Sequence, residues 1–114
     1  MLAIEGAISS GSYSALGHYL GNPVKVTFAA TEFSQNRAPA SVITDLAYID
    51  GTSGWNFALD DATLASYRAG FYGSYFPADA IVGQSAETYV ISIQVTGSQI
   101  TAIFVAGAAN LLVE

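Results

Sequence analysis

Two β-branched runs dominate the C-terminal third, Thr88 to Thr96 and Gln99 to Ala106, separated by Gly97-Ser98. A two-residue connection of that kind closes a tight hairpin. With this turn, Val95 pairs with Ile100, Ile93 with Ala102 and Ile91 with Phe104, so one apolar side is expected to be core. The other side pairs Gln94 with Thr101, Ser92 with Ile103 and Val90 with Val105. It is polar near the turn and apolar further away, so its far end calls for a cover, either the N-terminal segment or another subunit.

Upstream, Val24, Val26, Phe28 and Ala30 alternate with Lys25, Thr27 and Ala29, the period-two signature of a half-buried strand. Ser34 to Pro39 reads as a polar loop. Ser41 to Ile49 reads as a strand with Val42, Leu46 and Tyr48 on one side and Ile43 and Ile49 on the other. Asp50-Gly51-Thr52-Ser53-Gly54 has the composition of a turn. Trp55, Phe57 and Leu59 then alternate with Asn56 and Ala58, as a returning strand would, with Trp55 placed between sheets. Two readings of Asp60 to Ile81 are open. Asp61 could cap a short helix running through Arg68 with Gly70 just past its end, or Ser66 to Tyr72 and Tyr75-Phe76 could be strand pieces. A short helical turn followed by an extended segment is the reading adopted.

Six or seven short strands with regular turn signals and little helix predict an all-β fold, an antiparallel β-sandwich with at most one short helix. Residues 1–22 hold a possible strand, Leu2 to Ile8, then Ser9-Ser10-Gly11-Ser12 and Tyr13 to Leu20 before Gly21-Asn22-Pro23. They are expected to form an N-terminal arm over the sandwich domain of residues 23–114. No internal repeat or linker divides the chain.

Composition shifts the picture towards association. Of 114 residues, 52% are hydrophobic and only 11% charged, less than half the usual charged share. Sheet edges are commonly guarded by lysine or proline, and this chain has one lysine and three prolines. Poorly guarded edges and low charge predict a homo-oligomer. The formal net charge of −6 arises from nine acidic residues against Lys25, Arg37 and Arg68. Three scattered cations cannot neutralise a phosphate backbone, so nucleic acid is excluded as a partner, and anionic membrane surfaces are disfavoured on the same ground. Residues 1–6 show no basic-then-apolar leader, and the apolar run Thr101 to Val113 is too short to span a bilayer. No signal peptide or transmembrane segment is read, and synthesis in the cytoplasm is expected.

Candidate chemistry is sparse. With no cysteine and one histidine, His18, the chain lacks thiolate or paired-imidazole metal ligands. Ser12 and Ser14 lie near His18, without a nucleophile elbow or oxyanion signature. Asp45, Asp50, Asp60 and Asp61 could gather around Ca²⁺, but their spacing matches no EF-hand, and turn or capping roles explain Asp50 and Asp61. The expectation is a non-enzyme with no cofactor and no metal. Tyr67, Phe71, Tyr72, Tyr75 and Phe76 place five aromatics in ten residues around Gly70 and Gly73. Such a group cannot all face one core, so some rings are expected at a contact surface, where tyrosine combines apolar area with a polar tip.

The strand Val24-Lys25-Val26-Thr27-Phe28, the segment Ala47-Tyr48-Ile49-Asp50-Gly51-Thr52 and the run Glu87 to Val95 resemble the immunoglobulin-like domains of tailed-phage virion proteins. The resemblance spans about three-quarters of the chain, although the Cys–Trp–Cys arrangement of antibody domains is missing. It implies an immunoglobulin-like sandwich and a virion protein: a capsid decoration (cement) protein, or a neck or tail component, with other virion proteins as partners. The alternative function is a carbohydrate-binding or adhesin-type recognition module using Tyr67, Tyr72, Tyr75 and Trp55.

Overall fold

The computed structural model describes residues 2–11, 13–29, 34–46, 54–70, 72–77 and 79–107. In chain order these form α1 (Leu2–Ser10), a 3-10 turn (Tyr13–His18), β1 (Leu20–Phe28), β2 (Ser34–Arg37), α2 (Pro39–Asp45), α3 (Asp61–Ala69), a second 3-10 turn (Gly73–Tyr75), β3 (Ile81–Gln84), β4 (Val90–Thr96) and β5 (Gln99–Ala106). The five strands make one mixed sheet in the order β2-β1-β5-β4-β3. β1 runs parallel to β5, and the other neighbours are antiparallel.

This is an α+β fold, and the expected all-β immunoglobulin-like sandwich is corrected. Strand alternation was visible in the sequence, but a second sheet was inferred where helices lie. In α1, Ile4, Ala7 and Ile8 recur at helical spacing and are all buried. With Tyr13 and Leu16 they pack on Val24, Val26, Ile91, Ile93, Ile103 and Val105. Residues 2–18 thus supply five of the fifteen described buried residues of the main core and pack as a layer on the sheet. The expected strand from Ser41 is helix α2. Its β-branched Val42, Ile43 and Thr44 favour extension locally, but Pro39 sits at the first helical position, where its fixed φ and missing amide cost nothing. Val42 and Leu46, four residues apart, are both buried. Residues 47–50 of that expected strand lie outside the described residues. The expected loop from Ser34 is β2, paired with β1 through Thr27–Ser34 and Lys25–Asn36.

The C-terminal hairpin turns where the pattern places it, and Gly97 takes φ 64, as the first position of a II′ turn requires. Thr96 pairs with Gln99 and Val95 with Ile100. Beyond that the register shifts, because an irregularity between Gln94 and Val95 sets Gln94 opposite Ala102 and Ile93 opposite Ile103. One extra residue on β5 exchanges its faces from there on. Ile103 and Val105 join the main core. Phe104 and Ala106 move to the opposite face with Val90 and Val82, and that face carries the cleft described next.

Candidate binding cleft

The second face of the sheet is covered at one end and open at the other. Its cover begins with α3, whose start is capped by Asp60: the carboxylate accepts the Thr63 amide at 2.8 Å. The Thr63 hydroxyl first and its amide second hold this exposed carboxyl below its ordinary value of 3.8. The helix expected from an Asp61 cap is therefore present, starting one residue earlier. It presents Tyr67, which is buried, and whose hydroxyl donates to Gln84 Oε1 on β3.

Burial pushes the Tyr67 phenol above its ordinary 10.0, because a phenolate would lose its hydration. Ionisation would also remove the proton donated to Gln84. The sign follows from the raised value: this stabilisation is fully present below pH 10 and lost as pH climbs through the folded-state pKa. An ultraviolet absorbance titration should show one phenol ionising later than an exposed tyrosine. Tyr67→Phe should remove that late step; an unchanged titration would show that Tyr67 is not its source.

After α3 the chain turns back over the sheet. The Arg68 Nε donates to the Phe76 carbonyl at 2.7 Å, and the buried Ser92 hydroxyl on β4 donates to the Tyr75 carbonyl at 2.6 Å. These two bonds fix the 3-10 turn Gly73–Tyr75 above the sheet. The Tyr75 ring lies on Phe104 with centroids 4.6 Å apart and planes 15° off parallel. Tyr72 and Phe76 reach the same phenylalanine at 5.3 and 5.6 Å. Offset and edge-on pairs at these separations are favourable beyond their buried area.

Of the predicted contact group, Tyr72, Tyr75 and Phe76 are brought together around Phe104, which sequence reasoning missed, and Tyr67 packs on Phe76 at 5.7 Å. Tyr67 and Phe76 are buried, and Tyr72 and Tyr75 are half-buried. Phe71 lies outside the described residues. Trp55 is half-buried against the main core and stacks with Phe57 at 6.2 Å, whereas Tyr75 and Phe104 belong to the second core. The acidic candidates are not gathered. Asp45 holds Arg37 through Nε at 3.0 Å and Nη2 at 3.2 Å on the first face, and Asp60 caps α3. Asp61 is exposed in the first turn of α3, and Asp50 lies outside the described residues. No group of three potential metal ligands occurs among the described residues. Ser14 and His18 share the first 3-10 turn, and Ser12 is outside the described residues.

Where the aromatic cover stops, a cleft of about 320 Å³ opens between the sheet and the Gly73–Tyr75 turn. Its floor is Lys25 and Thr27 of β1, Ala102, Ile103 and Phe104 of β5, and Gln94 of β4; Ser74 and Tyr75 form the wall. The volume lies at the lower end of the range for small-ligand sites. Thr27 Oγ1 lies 3.0 Å from Ser34 Oγ. No carboxylate or imidazole lines the cleft among the described residues.

Comparison with solved structures supports this architecture. A DUF4783 family protein from Bacteroides fragilis YCH46 superposes with a TM-score of 0.62 at 17% identity, covering 93% of this chain and 96% of that one. A DUF4783 family protein from Bacteroides ovatus ATCC 8483 gives 0.60 at 15% identity, covering 91% of each. A looser likeness, 0.49 at 10% identity over 98% of this chain and 91% of the other, is to an NTF2-like protein from Burkholderia xenovorans LB400. No family model matches the chain, and no curated protein matches it in sequence. At these identities the two DUF4783 likenesses are ones of fold. They overturn the resemblance to immunoglobulin-like phage virion domains, from which the expectation of a capsid component was drawn. Among the described residues, no helix is long and apolar enough to cross a membrane.

Proposed function

We propose that this protein is a recognition module that binds a monosaccharide-sized ligand in the cleft between the second sheet face and the Gly73–Tyr75 turn. One observation carries the reading: hydrogen-bonding side chains ring an aromatic pair in a space of about 320 Å³. Sugars present hydroxyls at their rim and a C–H face that packs on an aromatic ring. Thr27, Ser74 and Gln94 supply donors and acceptors, while Tyr75, backed by the buried Phe104 ring, supplies the apolar face. Thr27, Ser74 and Gln94 do not exchange protons near neutral pH, so the lining suits binding better than acid–base catalysis. The rigid Tyr75–Phe104 stack, tied down by Ser92 and Arg68, offers a preformed surface and so limits the ordering cost of binding.

The test is an amide-shift NMR titration with a panel of neutral and acidic monosaccharides, including glucose and glucuronate. Expected perturbations fall on residues 25–27, 74–75, 94 and 102–104. Gln94→Ala should weaken binding about tenfold, the effect of losing one to two hydrogen bonds to a ligand. Shifts spread over the surface, or none with any sugar, would overturn the reading.

A further inference from the structure

We infer that the cleft selects an anionic ligand, a carboxylated sugar of single-ring size, with Lys25 as the specificity-determining residue; this rests on the recognition reading above. The chain's three basic side chains have different fates. Arg37 is committed to Asp45 by two bonds on the far face of the sheet, and Arg68 is committed to the Phe76 carbonyl at the end of α3. Lys25 stands exposed at the floor of the cleft, next to Asn36 across the β1–β2 pair and Ala102 across the β1–β5 pair.

The sign of the lining opposes that of the molecule. The chain carries −6, yet among the described residues the cleft lining includes one ammonium and no carboxylate. An acidic protein repels anions at long range, so its affinity for a carboxylate must come from a short-range contact, and Lys25 is placed to make it. A lysine ammonium with a carboxylate forms a charge-assisted hydrogen bond, roughly twice as strong as a neutral one. Gln94, two strands away across Ala102, can donate its amide to the second carboxylate oxygen or to a ring hydroxyl. The sugar face then lies towards Tyr75. A neutral sugar would fill the same volume and leave the lysine charge unused.

Calorimetric titration with glucuronate and with glucose, on the wild-type chain and on Lys25→Met, tests this. Glucuronate should bind about tenfold more tightly than glucose to the wild type, the effect of one charge-assisted contact at a solvent-accessible site. Raising the salt concentration should narrow the gap, because the contact is partly screened. Lys25→Met should abolish the preference by weakening glucuronate binding more than glucose binding, and Lys25→Arg should restore it in part. Lys25 is exposed, so its loss should leave the unfolding midpoint unchanged, which separates specificity from folding. Equal binding of the two sugars by the wild type would overturn the anion inference and leave the recognition reading standing. A glucuronate preference that survives in Lys25→Met would overturn the assignment to Lys25. Binding of neither sugar would overturn both.

Discussion

Phe104→Ala is expected to destabilise the protein by about 3–5 kcal/mol, the range for deleting a buried aromatic ring. Phe104 is 2% exposed and lies at the centre of the second core, in contact with Tyr72, Tyr75 and Phe76. Truncation leaves a cavity whose lining comes from a 3-10 turn and a loop, which hydrogen bonds to Ser92 and Arg68 hold in place. Those bonds limit how far the site can collapse, so the cost should lie in the upper part of the range. Urea unfolding monitored by circular dichroism checks it: the midpoint should fall with the slope unchanged. A loss below about 1 kcal/mol would show that the aromatic cover is loosely attached. In the folded fraction, ligand shifts at residues 74–75 should vanish, because Tyr75 loses the ring it rests on.

Gly73→Ala should cost at least about 3 kcal/mol, beyond the usual 1–3 kcal/mol for an overpacked site. A Cβ at this position would sit 1.9 Å from the Arg68 carbonyl oxygen and 2.7 Å from its carbon. The obstacle is backbone, so no rotamer change relieves it. Either the last turn of α3 opens or the Gly73–Tyr75 turn lifts from the sheet, and both displace Tyr75 from Phe104. Gly6→Ala is the matched control, since a Cβ there meets nothing within 4 Å and Gly6 lies inside α1. Replacing an exposed helical glycine should stabilise by about 0.5–1 kcal/mol. Thermal unfolding of the two variants should therefore move in opposite directions. Equal midpoints would show that the turn has room the geometry denies it.

The sheet was the most legible part of this chain. Strand periodicity is short-range, and the runs Val24 to Phe28, Val90 to Thr96 and Gln99 to Ala106 each show it without help from the rest of the fold. The α3 helix was legible to within one residue, with its cap read at Asp61 where Asp60 serves and its stop read at Gly70, because capping is satisfied within a few residues. α2 was misread because Val42, Ile43 and Thr44 carry a local preference for extension that Pro39 and the burial of Val42 and Leu46 override. β2 was missed because Ser34, Gln35 and Asn36 are polar and exposed at a sheet edge, and only pairing with β1 makes them a strand.

The cleft was less legible still. Lys25, Thr27, Gln94 and Phe104 come from three strands, and the irregularity by Gln94 decides that Phe104 shares their face. The ideal hairpin register read from the residues put Phe104 in the main core. A single unpaired residue costs little in sequence pattern yet exchanges every side chain beyond it. What the sequence determined alone were those features whose energetics close within a few residues: alternation, caps and the Gly97 turn. Which face Phe104 took depended on the irregularity beside Gln94, and whether α1 made an arm or a core layer depended on contacts between segments some ninety residues apart. Those were decided only when Ile4 and Ile8 found Ile93 and Ile103 across the folded chain.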